Sequence, residues 1–190
     1  MEQAVASQGS KSERIWKYSL IVVMFLLTVM GGCTYMSFGS HSDLLKVGSN
    51  APEFEADSSA GKIVSLNQYQ GNKRVVLVFY PGDNTPLCTS QLCSFRDNWS
   101  RLEAVDAVVL GINGASKEKH SSFASANQFP FPLLVDTNGE IAKDYGCSAI
   151  FGFIKRTVYV IDKNGKVAWV ERGNPTTSEI IEAIKSLQDG

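Results

Sequence analysis

Cysteine, histidine and net charge are all scarce in this chain. Four cysteines in 190 residues are too few for a fold built on disulfides, so each thiol has to be read singly. The two histidines, His41 and His120, lie far apart in the sequence and do not make a metal site. Lys and Arg number 18 against 19 Asp and Glu, a formal net charge of -1. Nothing in that balance attracts a phosphate backbone, and no nucleic-acid partner is expected. Internal repeats and low-complexity stretches are also missing, which excludes solenoids and linear arrays. What remains is 44% hydrophobic and 10% aromatic, enough for one globular core plus an appendage.

The appendage is N-terminal. Residues 1–17 are polar and carry Lys11, Arg14 and Lys17, whereas Tyr18 to Ser40 contains no charge at all. A helix of roughly 20 residues, at about 1.5 Å each, spans the ~30 Å of a bilayer core. Three readings fit: an uncleaved signal anchor, a cleaved secretory signal, and a lipoprotein signal with Cys33 of Met30-Gly-Gly-Cys33 as the lipidated residue. Met30 stands where lipoprotein sites more often carry Leu, so the anchor is the first choice. A buried N-terminal helix is the plain alternative. The basic cluster precedes the apolar run. Residues 1–17 are therefore expected in the cytoplasm and the following domain on the extracytoplasmic side, in a periplasm or its equivalent. Residues 41–46 read as a tether, and 47–190 as one domain.

That domain has α/β patterning. Val75 to Tyr80 is a continuous β-branched and aromatic run suited to a strand covered on both faces, and Val108 to Ile112 is a second. Between them Pro86 to Ala104 has length for a crossover helix, with Leu92, Phe95, Trp99 and Leu102 on one stripe. A helix over Ser116–Asn127 and a strand over Phe131–Val135 follow. Thr157–Ile161 and Val167–Glu171 flank Asp162-Lys-Asn-Gly165, where Asn-Gly predicts a tight hairpin with positive φ angles. Ile180, Ile181, Ile184 and Leu187 mark a closing helix. A βαβ half joined to a ββα half is a thioredoxin-like layout, a central mixed sheet flanked by helices.

The chemistry sits where the first strong strand ends. Thr85 is a natural N-cap and Pro86 a natural first helical residue, which places Cys88 in the first turn. Free backbone N–H groups and the helix dipole there favour a thiolate. Acidity alone is a weak catalyst. Lowering a thiol pKa from about 8.5 to about 6 raises its ionised fraction at pH 7 about 30-fold, but a Brønsted slope of about 0.4–0.5 returns roughly 13-fold of it. A fast thiol therefore needs donors that hold the electrophile and the leaving oxygen. The Thr85 hydroxyl and the first-turn amides are candidates. Cys93, the partner thiol, lies five residues on, about 8.6 Å away between Cα atoms on a regular helix. Disulfides take about 4.4–6.8 Å, so pairing Cys88 with Cys93 requires the helix start to unwind.

These residues resemble a family. Pro81, Thr85 and Cys88 match the Pro-x-x-x-Thr-x-x-Cys motif of the peroxiredoxins, and Cys93 falls at the offset of the resolving cysteine in the peroxiredoxin Q or bacterioferritin-comigratory branch. Gly48–Phe54, Phe129–Asp136, Tyr145-Gly146 and Lys155–Asp162 support the resemblance, which covers Val47 to Leu187. It implies a thiol peroxidase that reduces hydrogen peroxide or an organic hydroperoxide. Cys88 would become a sulfenic acid and then a disulfide with Cys93, reopened by a thioredoxin-like reductant. It also implies that Arg156 completes the peroxide pocket and that no metal or organic cofactor is needed; the chain is expected to be a monomer. Leu87, Asn84 and Ile112-Asn113 depart from the branch's usual Gly, aromatic and Val-Ser, as does the N-terminal segment.

Remaining residues have plainer expectations. His120, among Lys117, Glu118 and Lys119, reads as solvated surface, and Cys147 as an ordinary small core or loop residue. Asp83 reads as a turn former, and Trp99 and Trp169 as packing residues. Two rival functions share the fold: a membrane-tethered thiol-disulfide oxidoreductase, which would want Cys-x-x-Cys, and a copper-binding assembly factor, which would want closely spaced thiols plus a His. A peroxide sensor is a third.

Overall fold

A computed structural model describes residues 43–187. The N-terminal segment, with its anchor, secretory and lipidation readings and Cys33, lies outside the described residues. No helix among the described residues is long and apolar enough to cross a membrane.

The core is a five-stranded mixed sheet in the order β5-β4-β3-β6-β7. Its strands are β3 (Arg74–Phe79), β4 (Ala107–Asn113), β5 (Leu133–Val135), β6 (Thr157–Ile161) and β7 (Val167–Arg172). β4 runs parallel to β3 and β5, while β6 runs antiparallel to β3 and β7. All six residues of the central β3 are buried, as its unbroken apolar run requires of a strand covered on both faces. Its side chains alternate between two cores. Val75, Leu77 and Phe79 join Tyr145 and Tyr159 on one face, and Val76 and Val78 join Leu92, Phe95, Ile180 and Ile184 on the other. This is the thioredoxin-like arrangement of a βαβ and a ββα half.

The helices are α1 (Pro86–Asp97), α2 (Trp99–Glu103), α3 (Lys117–Asn127), α4 (Glu140–Asp144) and α5 (Thr177–Ser186). The single crossover helix expected from Pro86 to Ala104 is broken into α1 and α2 at Asn98. The Asn98 side-chain amide donates to the Ser94 carbonyl at 2.9 Å, the local competition with the backbone that Asn offers. A hairpin of β1 (Glu55–Asp57) and β2 (Ile63–Ser65) was not expected. Its three-residue strands are too short to show a period.

Two further expectations change. In the β6–β7 hairpin only Gly165 has positive φ, at 76°. The Gly165 N–H donates to the Asp162 carbonyl, and the Asp162 side chain accepts from the Asn164 and Lys166 N–H groups. The loop is thus a turn followed by a left-handed glycine, not a two-residue Asn-Gly turn. Leu44 and Leu45, expected in the tether, pack on the Tyr159 side of the sheet, and the Leu45 N–H donates to the Tyr159 hydroxyl at 3.1 Å.

Candidate active site

β3 ends at Phe79, and the chain leaves the sheet through Tyr80-Pro-Gly-Asp-Asn-Thr85 into α1. Thr85 is the N-cap in extended conformation and Pro86 opens the helix, because proline lacks the N–H that has no partner there and already has helical φ. Cys88 therefore lies in the first turn, and its side chain is only 1% exposed.

The sheet register brings the second component. Phe79 at the end of β3 pairs with Thr157 at the start of β6, so Arg156 stands where the cysteine loop departs. Arg156 Nη2 donates to Cys88 Sγ at 3.0 Å, a charge-assisted bond to the sulfur in its anionic form. The other arm, Nη1, donates to Gln91 Oε1. Gln91 lies one helical turn beyond Cys88 on the same buried face, and its Nε2 has no hydrogen-bond partner. Sequence reasoning missed Gln91; its three-residue offset from Cys88 was the available signal.

The remaining expected residues before Cys88 are exposed. Thr85 is exposed and its side chain makes no capping bond, so the anticipated Thr85 donor is positioned near the helix start without engaging it. Pro81 is exposed at the head of the loop. Leu87, the residue before Cys88, is 54% exposed.

Cys93 faces elsewhere. It is half-buried on the same continuous helix, and its thiol points to Asn127 Oδ1 of α3 at 3.9 Å. The Arg96 guanidinium lies beside it and donates to the Asn127 carbonyl at 2.7 Å. Cys88, Cys93 and Cys147 are all free thiols. Cys147 is fully buried in the core on the other face of the sheet from Cys88, in keeping with a packing role. Burial pushes its thiol up to about 11, against weaker opposing effects of Thr157, Arg172 and Lys155.

His120 corrects the surface expectation. It is completely buried, on the inner face of α3 with Phe123 three residues on; Glu118 and Lys119 beside it in sequence are exposed, and Lys117 reaches across to Asp57. Its Nδ1 meets Asp83 Oδ2 at 2.9 Å and its Nε2 meets the Leu134 carbonyl at 3.1 Å. Asp83 does form the turn. Its Oδ1 also accepts from the Tyr80 hydroxyl and Asn113 Nδ2, each at 2.8 Å. Burial opposes ionisation of Asp83, but the bonds from His120, Tyr80 and Asn113 outweigh it and hold the carboxyl below its usual range. Among the described residues, no group of three or more His, Cys, Asp or Glu is placed to hold a metal.

A buried thiol at a helix N-terminus, held by a guanidinium on a thioredoxin-like sheet, defines a thiol peroxidase. Residues 47–170 match the AhpC/TSA family. Over 144 residues the chain is 41% identical to chloroplastic peroxiredoxin Q of Sedum lineare, covering 74% of this chain and 77% of that one. It is 35% identical to peroxiredoxin Bcp of Bacillus subtilis, covering 76% and 96%. The crystal structure of peroxidoxin BcpB from Mycobacterium tuberculosis superimposes with a TM-score of 0.71 at 29% identity, covering 76% and 99%. The chain belongs to the AhpC/TSA family of peroxiredoxins, as a member of the peroxiredoxin Q/Bcp type.

Proposed function

We propose that this peroxidase reduces hydrogen peroxide and organic hydroperoxides through Cys88 and recycles through Cys93. The bond from Arg156 Nη2 to Cys88 Sγ at 3.0 Å carries the reading. A thiolate attacking the near oxygen of R–O–O–H breaks the O–O bond. The sulfur gains that oxygen and is oxidised, and the departing alkoxide or hydroxide takes a proton and leaves as alcohol or water. In this reading Arg156, its other arm held by the Gln91 carbonyl, meets the charge that develops on oxygen. The exposed Thr85 hydroxyl completes the entrance, with Pro81 shaping the loop. Leu87 favours substrates with an apolar tail.

The Cys93 thiol then displaces water from the Cys88 sulfenic acid, forming the disulfide, and a thioredoxin-like dithiol reductant exchanges with it. All of these groups come from one chain, so a monomer is sufficient. Stopped-flow oxidation by hydrogen peroxide tests the roles. Cys88→Ser should lose the fast reaction, and Cys93→Ser should complete one oxidation without recycling. Equal, slow oxidation of both variants would overturn the assignment.

We infer from the uncharged run at 18–40 and the basic residues before it that the domain is tethered to a membrane on its extracytoplasmic face. Protease digestion of intact spheroplasts should remove the domain. Full protection, with digestion only after lysis, would place it in the cytoplasm.

A further inference from the structure

Four buried polar side chains converge just upstream of Cys88. Tyr80, Asn113 and His120 are each at most 1% exposed, and the Asp83 side chain is 6% exposed. Through one carboxylate the loop after β3 is fastened to the end of β4 by Asn113 and to α3 by His120. The far side of the His120 ring is braced on the Leu134 carbonyl of β5. Asn113 is itself fixed, its Oδ1 accepting the Ala115 N–H at 2.6 Å. A buried charge with three donors is costly to release, because the alternative is an unpaired carboxylate or imidazole in the interior.

The start of α1 has little else to hold it. Its N-cap side chain makes no capping bond, its first turn has no acidic residue, and Pro86 supplies no N–H. Asn84, next to the anchored Asp83, has positive φ, at 60°, a conformation that asparagine tolerates but does not prefer. Holding the loop therefore falls to Asp83 on one side of the N-cap and to Cys88 with Arg156 on the other.

We propose that the buried Asp83–His120 pair is a positioning latch that keeps the Cys88 loop in its peroxide-reactive form and slows release of the first turns of α1 toward Cys93. The inference rests on the Cys88–Cys93 cycle proposed above. Once Cys88 is a sulfenic acid, two reactions compete for it. Cys93 condenses with it and releases water, after the helix start unwinds. A second hydroperoxide oxidises it to sulfinic acid and leaves as water or alcohol, while the helix stays folded. The latch biases this partition toward the folded form, so it raises reactivity with peroxide and also sensitivity to excess peroxide.

The test uses the reduced full chain in detergent, with His120→Leu and His120→Asn, the asparagine amide retaining a donor near the Nδ1 position. Stopped-flow tryptophan fluorescence follows oxidation and disulfide formation, and intact mass gives the sulfinic yield under excess hydrogen peroxide. In His120→Leu, disulfide formation should accelerate about tenfold, the scale of one hydrogen bond to a charged group. The sulfinic yield and the peroxide rate should fall. His120→Asn should move each quantity back toward the wild type. Asn113→Ser, which removes a donor at the same carboxylate, should shift the partition in the same direction as His120→Leu and stands in where that variant does not fold. The proposal is overturned if the partition is unchanged, or if both steps slow together with no rescue by asparagine. Failure of the underlying cycle is a different result: wild-type protein that forms no Cys88 sulfenic acid.

Discussion

Cys88 and Cys93 lie on one unbroken helix and face different neighbours. The first takes the Arg156 guanidinium of the strand edge at 3.0 Å, and the second turns to Asn127 of α3 at 3.9 Å. A five-residue step of regular helix separates the sulfurs that the proposed cycle would join, so in that cycle the fold in hand would be the form that meets peroxide, and the disulfide would require another.

That separation gives the first prediction. In the oxidised protein, hydrogen exchange should show loss of amide protection from Thr89 to Phe95, while the β3 and β4 amides stay protected. Full protection across α1 after oxidation would rule out the helix-opening step.

Arg156→Met should lower the rate constant for oxidation by hydrogen peroxide about a hundred- to a thousand-fold, the loss associated with removing one donor to a developing oxyanion. The protein should remain folded, since Arg156 is only half-buried just before β6. Arg156→Lys should recover only part of the rate, because a lysine cannot bridge sulfur and amide as the guanidinium fork does.

Gln91→Leu should slow the same step by roughly tenfold, the scale of one hydrogen bond to a charged group. It acts by freeing the second arm of Arg156. In the double variant with Arg156→Met, the Gln91 substitution should add little, because the two share one interaction.

Cys147 should give a pH signature in stability and none in activity. The folded protein retains this thiol proton up to about 11, whereas the ordinary value is 9.0. Between these values the unfolded chain binds fewer protons, so the contribution is intact below pH 9 and is lost as pH rises toward 11. By pH 10 the loss is about 1 kcal/mol. Urea titrations at pH 8 and pH 10 should show this component in the wild type and not in Cys147→Ala. Equal pH dependence in both would refute it.

Much of the site was legible because its determinants are local. Thr85, Pro86 and Cys88 specify a helix start within four residues, and the apolar stripe of Leu92 and Phe95 fixes which face turns inward. Arg156 was reachable only through the family resemblance, for it lies 68 residues from Cys88 in the chain. His120 was misread because its charged neighbours dominate the local pattern, while the Phe123 that shares its face is a single residue.

The order of apolar runs and breakers by itself determined the strands of the mixed sheet, most of the helices and the seat of the reactive thiol, since propensity and periodicity act between residues three or four apart. Only the tertiary structure decided which side chains meet that thiol and its loop. The pairing of Phe79 with Thr157 delivers Arg156, and the packing of α3 delivers His120 to Asp83 across 37 residues. Such contacts depend on strand register and on the burial of whole elements, and no short window of sequence contains either.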